Sequence, residues 1–221
     1  MANAAESAEH GEIESWSLVE LAVSRLRRQI LSGSIDPGER LVEEQLTRRL
    51  GISRAPLREA LRLLTQQGLV EHLPRRGVRV AVLSDRDVAE LYTVRDVLEQ
   101  HVVTTVFPIV DPALLAPLQA ALDLMRAASA ADDRLETANA HRAFHLAMVA
   151  LAGNRQLTQV YESILVKLQL YMARNLSREA ELAEPDDGVR RHERLYEAIH
   201  SGDPGTILHE LAAHGARSYL S

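Results

Sequence analysis

The 221-residue chain contains no cysteine, and only 4% of its residues are aromatic. Without cysteine, a disulfide framework is impossible. No uninterrupted apolar stretch reaches the length that spans a membrane. The first residues, MANAAESAEHGEIES, also lack the basic start and the apolar core of a secretory signal. We therefore expect a cytoplasmic protein without a membrane partner, long enough for two modest domains.

Charge is distributed unevenly along the chain, whose formal net charge is −6. Residues 15–83 contain 12 arginines and 7 carboxylates, a surplus of +5, whereas residues 84–221 contain 13 basic and 20 acidic side chains. A mildly basic segment joined to an acidic one is typical of a DNA reader controlled by a second domain. We expect a disordered tail over residues 1–14, a DNA-binding domain over 15–83 and an effector-binding and dimerisation domain over 84–221.

The segment LVEEQLTRRLGISRAPLREALRLLTQQGLV has the pattern of a helix-turn-helix. Gly51 follows the apolar end of a helix, where a left-handed residue lets the chain turn sharply. Ser53 is suited to cap a second helix, which has Pro56 in its first turn. The arginines of that helix recur at i, i+4 and i+8 on one face: Arg54, Arg58 and Arg62. A solvated basic helix shows the same stripe, so the stripe alone does not indicate DNA binding.

Two short β runs follow between residues 69 and 82, after Gly68 has closed the second helix. The turn between them consists of Pro74, Arg75, Arg76 and Gly77. A hairpin tip with two arginines beside a glycine can follow a phosphate backbone or enter a minor groove. A basic helix followed by such a hairpin is the order of a winged helix, so the sequence predicts double-stranded operator DNA as the partner.

The run from RLRRQI to RRGVRV resembles the DNA-binding domain of the GntR family of bacterial repressors over almost its whole length. The matching pieces are ILSG, PGERL at residues 37–41, LGISRAPLREAL at 50–61, GLV at 68–70 and RRGVRV in the wing. The resemblance implies DNA contacts in the recognition helix and the wing, at Ser53, Arg54, Ala55, Pro56, Arg58, Arg75, Arg76 and Gly77. Glu44 stands where some relatives carry an arginine, so a different operator is implied.

The remainder of the chain predicts a bundle of about six helices. Ser84 begins the first of them, with Asp87 at the third position after it. We expect its apolar stripe to consist of Val88, Leu91, Val94, Val97 and Leu98. Helix breaks are predicted at residues 108–112, 130–133, 153–154, 184–188 and 202–205. The predicted fold is thus mainly α, with an N-terminal winged helix-turn-helix, a small β-hairpin wing and a C-terminal all-α bundle.

Four histidines of this half are spaced so that they can meet. His141 and His145 are four residues apart, so both rings leave the same face of one helix. His192 and His214 lie on apolar stripes of the last two helices. Four neutral imidazoles in a bundle core bind a divalent transition metal. A single helical histidine is more often solvated or hydrogen-bonded, and we interpret the other five in that way: His10, His72, His101, His200 and His209.

This half is similar to the FadR-type (FCD) effector domain of one GntR branch, again over nearly its full length. YTVRDVLEQHVV resembles its first helix, and HRAFHLAMVALAGN resembles the helix of its metal motif, which normally reads Asp, three residues and His. The resemblance implies metal ligation by His141, His145, His192 and His214. His141 replaces the aspartate, and exchanging a carboxylate for a neutral nitrogen favours zinc or nickel over manganese or magnesium.

The resemblance also implies a small carboxylate effector at open metal positions. Arg95 matches an arginine near that pocket, and a guanidinium can hold a carboxylate through two hydrogen bonds. The alternative is a surface pair of Arg95 with Glu99 at i, i+4. We expect a homodimeric repressor, not an enzyme. Two alternatives stay open: a metal sensor without organic effector, and a metal-dependent hydrolase, for which no HExxH-like general base is present.

Overall fold

The computed structural model describes residues 17–179 and 187–214, so the expected tail of residues 1–14 lies outside the described range. The fold class predicted from the sequence is confirmed: a winged helix comes first and a helical bundle follows. Among the described residues, no helix is long and apolar enough to cross a membrane.

Three helices and a small sheet form the first half. In chain order they are α1 (Leu18–Leu31), β1 (Arg40–Leu41), α2 (Glu43–Leu50), α3 (Arg54–Gln66), β2 (Val70–Leu73) and β3 (Gly77–Val80). The strand order is β1-β3-β2, and both pairs are antiparallel. The predicted hairpin is therefore the larger part of a three-stranded sheet. Strand β1 has two residues, too few for an alternating pattern to show in the sequence.

The turn between α2 and α3 forms at the predicted glycine. Gly51 has a left-handed φ of 69°, and its N–H donates to the carbonyl oxygen of Thr47 at 2.9 Å. No atom lies within 4 Å of the place that a Cβ would occupy, so the backbone conformation is what requires glycine here. Ser53 does occupy the N-cap of α3, but its side chain makes no capping hydrogen bond and remains exposed.

Within the described residues of the second half there are six α-helices, as the breaks in the sequence predict. They are α4 (Asp85–Val106), α5 (Ala116–Ala130), α6 (Arg134–Ala150), α7 (Arg155–Glu179), α8 (Asp187–Ser201) and α9 (Pro204–His214). A capping box between Ser84 and Asp87 starts α4. Helix α6 packs against α5 and α7, and α8 packs against α5 and α9. Their shared core includes Leu122, Phe144 and Leu195, all fully buried.

Helix α4 buries only part of the predicted stripe: Val88 is fully buried, and Leu91 and Leu98 pack against the core. Val94 and Val97 of the expected apolar stripe are 47% and 60% exposed. The face turned to the bundle carries Tyr92, Arg95 and Glu99 instead. Hydropathy assigns charged residues to the surface, but this arginine and this glutamate lie inside because they neutralise each other there.

Candidate nucleic-acid interface and metal centre

The first turn of the recognition helix α3 is open to solvent. Ser53, Arg54 and Ala55 are exposed and Pro56 is half-buried, whereas Leu57 is fully buried beneath them. The helix is thus anchored by its apolar face, and its N-terminal end is free. Backbone N–H groups and the helix dipole favour a phosphate at such an end.

The three arginines of α3 have different contacts within the protein. Arg62 donates from Nε and Nη2 to Glu59 at 2.9 and 2.6 Å, so its guanidinium is already engaged. Arg58 donates from Nε alone, to both carboxylate oxygens of Glu43 at 3.1 and 3.0 Å. Arg54 has no hydrogen bond or ion pair within the described part of the chain. Arg54 and the Nη groups of Arg58 are therefore the donors that α3 offers to a ligand.

Glu44, where some relatives carry an arginine, pairs with Arg48 one turn later in α2. An exposed pair at i, i+4 contributes less than about 1 kcal/mol to stability. The pair matters for the electrostatic potential, because Glu44 cancels the charge of Arg48 and this part of α2 offers no net positive charge to DNA.

Arg75 and Arg76 form the tip of the wing. The N–H of Arg76 donates to the carbonyl oxygen of Leu73 at 3.0 Å, which closes the turn. Arg75 has a left-handed φ of 61°, a conformation that costs a residue with a Cβ about 1 kcal/mol. Arg40 lies on β1, the edge strand next to β3, and donates to the carbonyl oxygen of Arg76 at 2.6 Å, which fixes the position of the tip. Both wing arginines are exposed, as is Gly77.

Four histidines from three helices of the bundle meet at one point. His141 and His145 lie one turn apart on α6, His192 lies on α8, and His214 ends α9. One ring nitrogen from each lies within 4.8 Å of those of the other three. The Nε2 atom of His145 is 3.1 Å from that of His214 and 3.2 Å from that of His192.

Hydrogen bonds orient two of these rings. His192 Nδ1 donates to the carbonyl oxygen of Gly188 at 2.7 Å, which leaves the Nε2 lone pair facing the other rings. His145 Nδ1 lies 3.1 Å from Glu99 Oε1, and a proton on Nδ1 satisfies that carboxylate. Partners of this kind select the tautomer of a metal-binding histidine. Both rings thus present the same atom, Nε2, to the centre of the group.

The donor set fits a divalent transition metal. Ions with metal–nitrogen bonds of about 2.0–2.1 Å place neighbouring nitrogens about 3 Å apart. The two distances from His145 Nε2 are close to this value, and all four ligand nitrogens lie within 4.8 Å of one another. Lone pairs that face one another repel unless a proton or a cation lies between them. A cation already approaches here, because Arg95 Nη2 lies 3.0 Å from both ring nitrogens of His145. His214 Nδ1 is buried without a hydrogen-bond partner among the described residues, so only its Nε2 faces a neighbour.

Burial keeps the imidazoles neutral. Loss of water contact lowers the pKa of His192 to about 4. The same cause lowers the pKa of His141, His145 and His214 well below the ordinary histidine value, and nearby histidines and the Arg95 guanidinium lower it further. A neutral imidazole is the form that binds a metal ion.

A buried charge network lies against the histidines. Arg95 and Glu99 are 5% and 3% exposed, and Arg95 Nε donates to Glu99 Oε1 at 3.0 Å. Tyr161 of α7 donates its hydroxyl proton to the same carboxylate oxygen. Burial, together with the Glu99 carboxylate, raises the pKa of Tyr161, so this donor stays protonated. The alternative of a surface pair is therefore wrong in one respect: Arg95 and Glu99 do pair, but inside the bundle.

Sequence reasoning did not predict Glu99 and Tyr161 as parts of this site. Glu99 carried one signal, its spacing of four residues from Arg95, but that spacing is equally common on exposed helix faces. Tyr161 carried none, because its neighbours in the sequence reveal nothing about a partner on α4.

Comparisons with known proteins cover nearly the whole chain. Residues 18–80 match the bacterial regulatory proteins of the gntR family, and residues 90–217 match the FCD domain. The chain is 29% identical over 192 residues to the uncharacterized HTH-type transcriptional regulator YdhC of Bacillus subtilis (strain 168), covering 86% of this chain and 84% of that protein. It is 26% identical to the gluconate operon transcriptional repressor of the same organism, over 84% of this chain and 77% of that protein.

Solved structures show the same architecture. A GntR transcriptional regulator from Rhodococcus sp. RHA1 superposes with a TM-score of 0.78 at 27% identity, covering 89% of this chain and 92% of that one. These relatives regulate transcription, which decides against the hydrolase alternative. The protein belongs to the gntR family of bacterial regulatory proteins, as a DNA-binding transcriptional regulator with an FCD domain.

Proposed function

We propose that this regulator is a repressor whose affinity for double-stranded operator DNA changes when a small carboxylate effector binds beside a divalent metal in the bundle. One observation carries the proposal: four neutral imidazoles face one point beside buried Arg95, in a chain whose other half is a winged helix. A repressor among the relatives supports the direction of regulation.

Residues 15–83 read the DNA. The exposed first turn of α3 enters a major groove, and the wing follows the phosphate backbone or reaches into the minor groove. The contacts we assign to α3 and the wing are Ser53, Arg54, Ala55, Pro56, Arg58, Arg75, Arg76 and Gly77. Arg58 reads a base while Glu43 holds its Nε, because both Nη groups stay available for a guanine.

Residues 84–221 hold the metal, the effector and the dimer interface. The metal ligands are His141, His145, His192 and His214, and four neutral nitrogens suit zinc or nickel. With four nitrogen ligands zinc would need no further ligand, whereas nickel held by the same histidines would still accept a carboxylate. Effector binding at the metal therefore favours nickel. When bound, the ion supplies a positive centre that attracts a carboxylate.

Arg95 is the effector's second anchor. Its guanidinium lies next to the histidines, with Nε on Glu99 and Nη2 at His145. A carboxylate held between the metal and this guanidinium would compensate the positive charge that the metal brings into the buried site.

A second copy of the chain covers the outer face of α4. Val94 and Val97 lie on that face and are largely exposed, although apolar side chains of this size are usually buried. A homodimer buries them and places two winged helices on neighbouring half-sites of the DNA. Two DNA-binding domains make twice as many phosphate contacts as one, which compensates for the modest charge of +5 on each.

The test begins with metal-stripped protein and the duplex that the wild type selects from a random-sequence pool. Operator affinity is measured by fluorescence anisotropy without metal, with Ni²⁺ or Zn²⁺, and with metal plus malonate as the carboxylate probe. The proposal expects a large change only when metal and malonate are both present. A change with metal alone supports the metal-sensor alternative, and a rise in melting temperature alone makes the metal structural.

Two histidines of α8 provide a matched pair of variants. His192→Gln removes a proposed ligand, whereas His200→Gln changes an exposed histidine two turns later on the same helix. Elemental analysis should find about one metal ion per chain in the wild type and in His200→Gln, and much less in His192→Gln. Equal metal content in the two variants would contradict the assignment of His192.

A further inference from the structure

Helix α7 is shared by the two halves of the molecule. Tyr161 and Leu165 belong to the core of the bundle, whereas Val166 and Leu170 belong to the core of the winged helix. These side chains lie on two faces of one continuous helix. Since a helix rises about 1.5 Å per residue, the segment from Tyr161 to Leu170 spans roughly 14 Å along its axis. A displacement of α7 caused by contacts on one face therefore also moves the side chains on the other face.

On the bundle side, hydrogen bonds tie α7 to α4 and α6, two of the four helices that carry residues of the candidate site. The Tyr161 hydroxyl donates to Glu99 of α4, the same carboxylate that holds Arg95 and faces His145. The next residue, Glu162, accepts from Arg142 Nη1 of α6 at 3.3 Å. The position of α7 thus depends on the arrangement of the site.

On the other side, α7 reaches the end of the recognition helix. Gly68, with a φ of 73°, follows the last turn of α3, and its N–H donates to the carbonyl oxygen of Thr65 at 2.9 Å. The stem of Lys167 packs over this glycine so closely that a Cβ at position 68 would lie 2.6 Å from Lys167 Cε. Val166 and Leu170 of α7 also share one apolar core with Leu57 and Leu64 of α3. A displacement of α7 therefore changes the packing beneath the helix that meets DNA.

We propose that Tyr161 is the positioning residue that couples the histidine site to the recognition helix. The inference rests on the proposed function, because it needs a ligand that disturbs the Arg95–Glu99 pair. Arg95 Nε already donates to Glu99, so a carboxylate that binds at the Nη groups brings a second negative charge close to the Glu99 carboxylate. Glu99 then shifts or turns, its hydrogen bond with Tyr161 changes, and α7 carries the change to Gly68.

The experiment is a double-mutant cycle on operator affinity, which needs no knowledge of the effector. Glu99→Gln disturbs the site, and Tyr161→Phe removes only the hydroxyl that joins it to α7. The operator Kd is measured by fluorescence anisotropy for the full-length wild type, both single variants and the double variant. We expect Glu99→Gln to change the Kd by at least about fivefold, the lower end of typical coupling between sites. In the Tyr161→Phe background the same substitution should change it less than about twofold.

Tyr171→Phe is the matched control, because this residue lies on the same helix, is half-buried and has no hydrogen bond within the described residues. It should leave the effect of Glu99→Gln intact. Lys167→Ala cuts the proposed connection at its other end and should weaken the effect as Tyr161→Phe does, which keeps the test decisive if Tyr161→Phe folds poorly. An effect of Glu99→Gln that is equal in all backgrounds, or absent from all, overturns the inference.

The same samples separate this inference from the proposed function. Isothermal titration with Ni²⁺ reports the histidine site directly. A non-additive cycle in a protein that binds no nickel would support the coupling through Tyr161 and reject the metal site. An additive cycle in a protein that binds nickel would reject the coupling and leave the metal site standing.

Discussion

The metal-free protein should lose stability in mild acid, and His192 sets a minimum for the loss. Its ring is 3% exposed, and this burial lowers its pKa from 6.5 to about 4. The unfolded chain takes up a proton at His192 below pH 6.5, whereas the folded chain does so only near pH 4. The stabilisation is therefore complete above pH 6.5 and is lost as the pH falls toward 4. Between pH 7.5 and pH 5 the loss from this residue alone is about 2 kcal/mol.

Urea unfolding followed by far-UV circular dichroism measures this loss, with a chelator present at every pH. His192→Asn is the informative variant, because an amide N–H can still donate to Gly188 but cannot titrate in this range. Its stability should fall about 2 kcal/mol less than that of the wild type between pH 7.5 and pH 5. His200→Asn, at an exposed position, should behave like the wild type. The argument from burial is refuted if His192→Asn and the wild type show the same dependence on pH.

Three further predictions concern DNA and assembly. Arg54→Ala should weaken operator binding by about 1–3 kcal/mol and reduce the preference for the operator's base at one base pair. Arg62→Ala should change binding little, because Glu59 already holds the Arg62 guanidinium. Competition anisotropy with operator and altered duplexes measures both effects. Arg75→Asn should lower the salt slope of binding by about one while urea unfolding shows unchanged or higher stability, because asparagine tolerates the left-handed φ. Val97→Glu should convert dimers to monomers in light scattering without unfolding the chain, since the side chain is 60% exposed.

Features decided by neighbouring residues were readable from the sequence. The left-handed turn at Gly51 and the capping box of Ser84 with Asp87 depend on side chains within one helical turn, so local rules find them. Strand β1 was missed because it exists only through pairing with β3, whose residues lie almost forty positions away. The exposed Ser53 hydroxyl was missed for another reason: the residue suits a cap, but the geometry at this turn forms none.

The candidate site divides in the same way. His141 and His145 were placed on one face by their spacing, and His192 and His214 were placed on apolar stripes of their helices. The family resemblance then implied that all four meet at a metal. The inward side of α4 was predicted only in part, because periodicity counted Val94 and Val97 as core and left Arg95 open between an effector contact and a surface pair with Glu99. A charged side chain is buried only when an oppositely charged or hydrogen-bonding partner lies beside it. The sequence of one helix does not reveal partners on other helices.

The buried pair of Arg95 and Glu99 also implies an order of binding at the proposed site. A carboxylate that approaches Arg95 in metal-free protein meets a guanidinium whose charge Glu99 already balances, so it gains little electrostatic energy and loses translational freedom. A metal on the histidines changes this balance, because it adds a second bond for the ligand and leaves an uncompensated positive charge in a dry site. Malonate should therefore bind only after the metal. Equal malonate affinity with and without Ni²⁺ would place the ligand somewhere other than between Arg95 and the histidines.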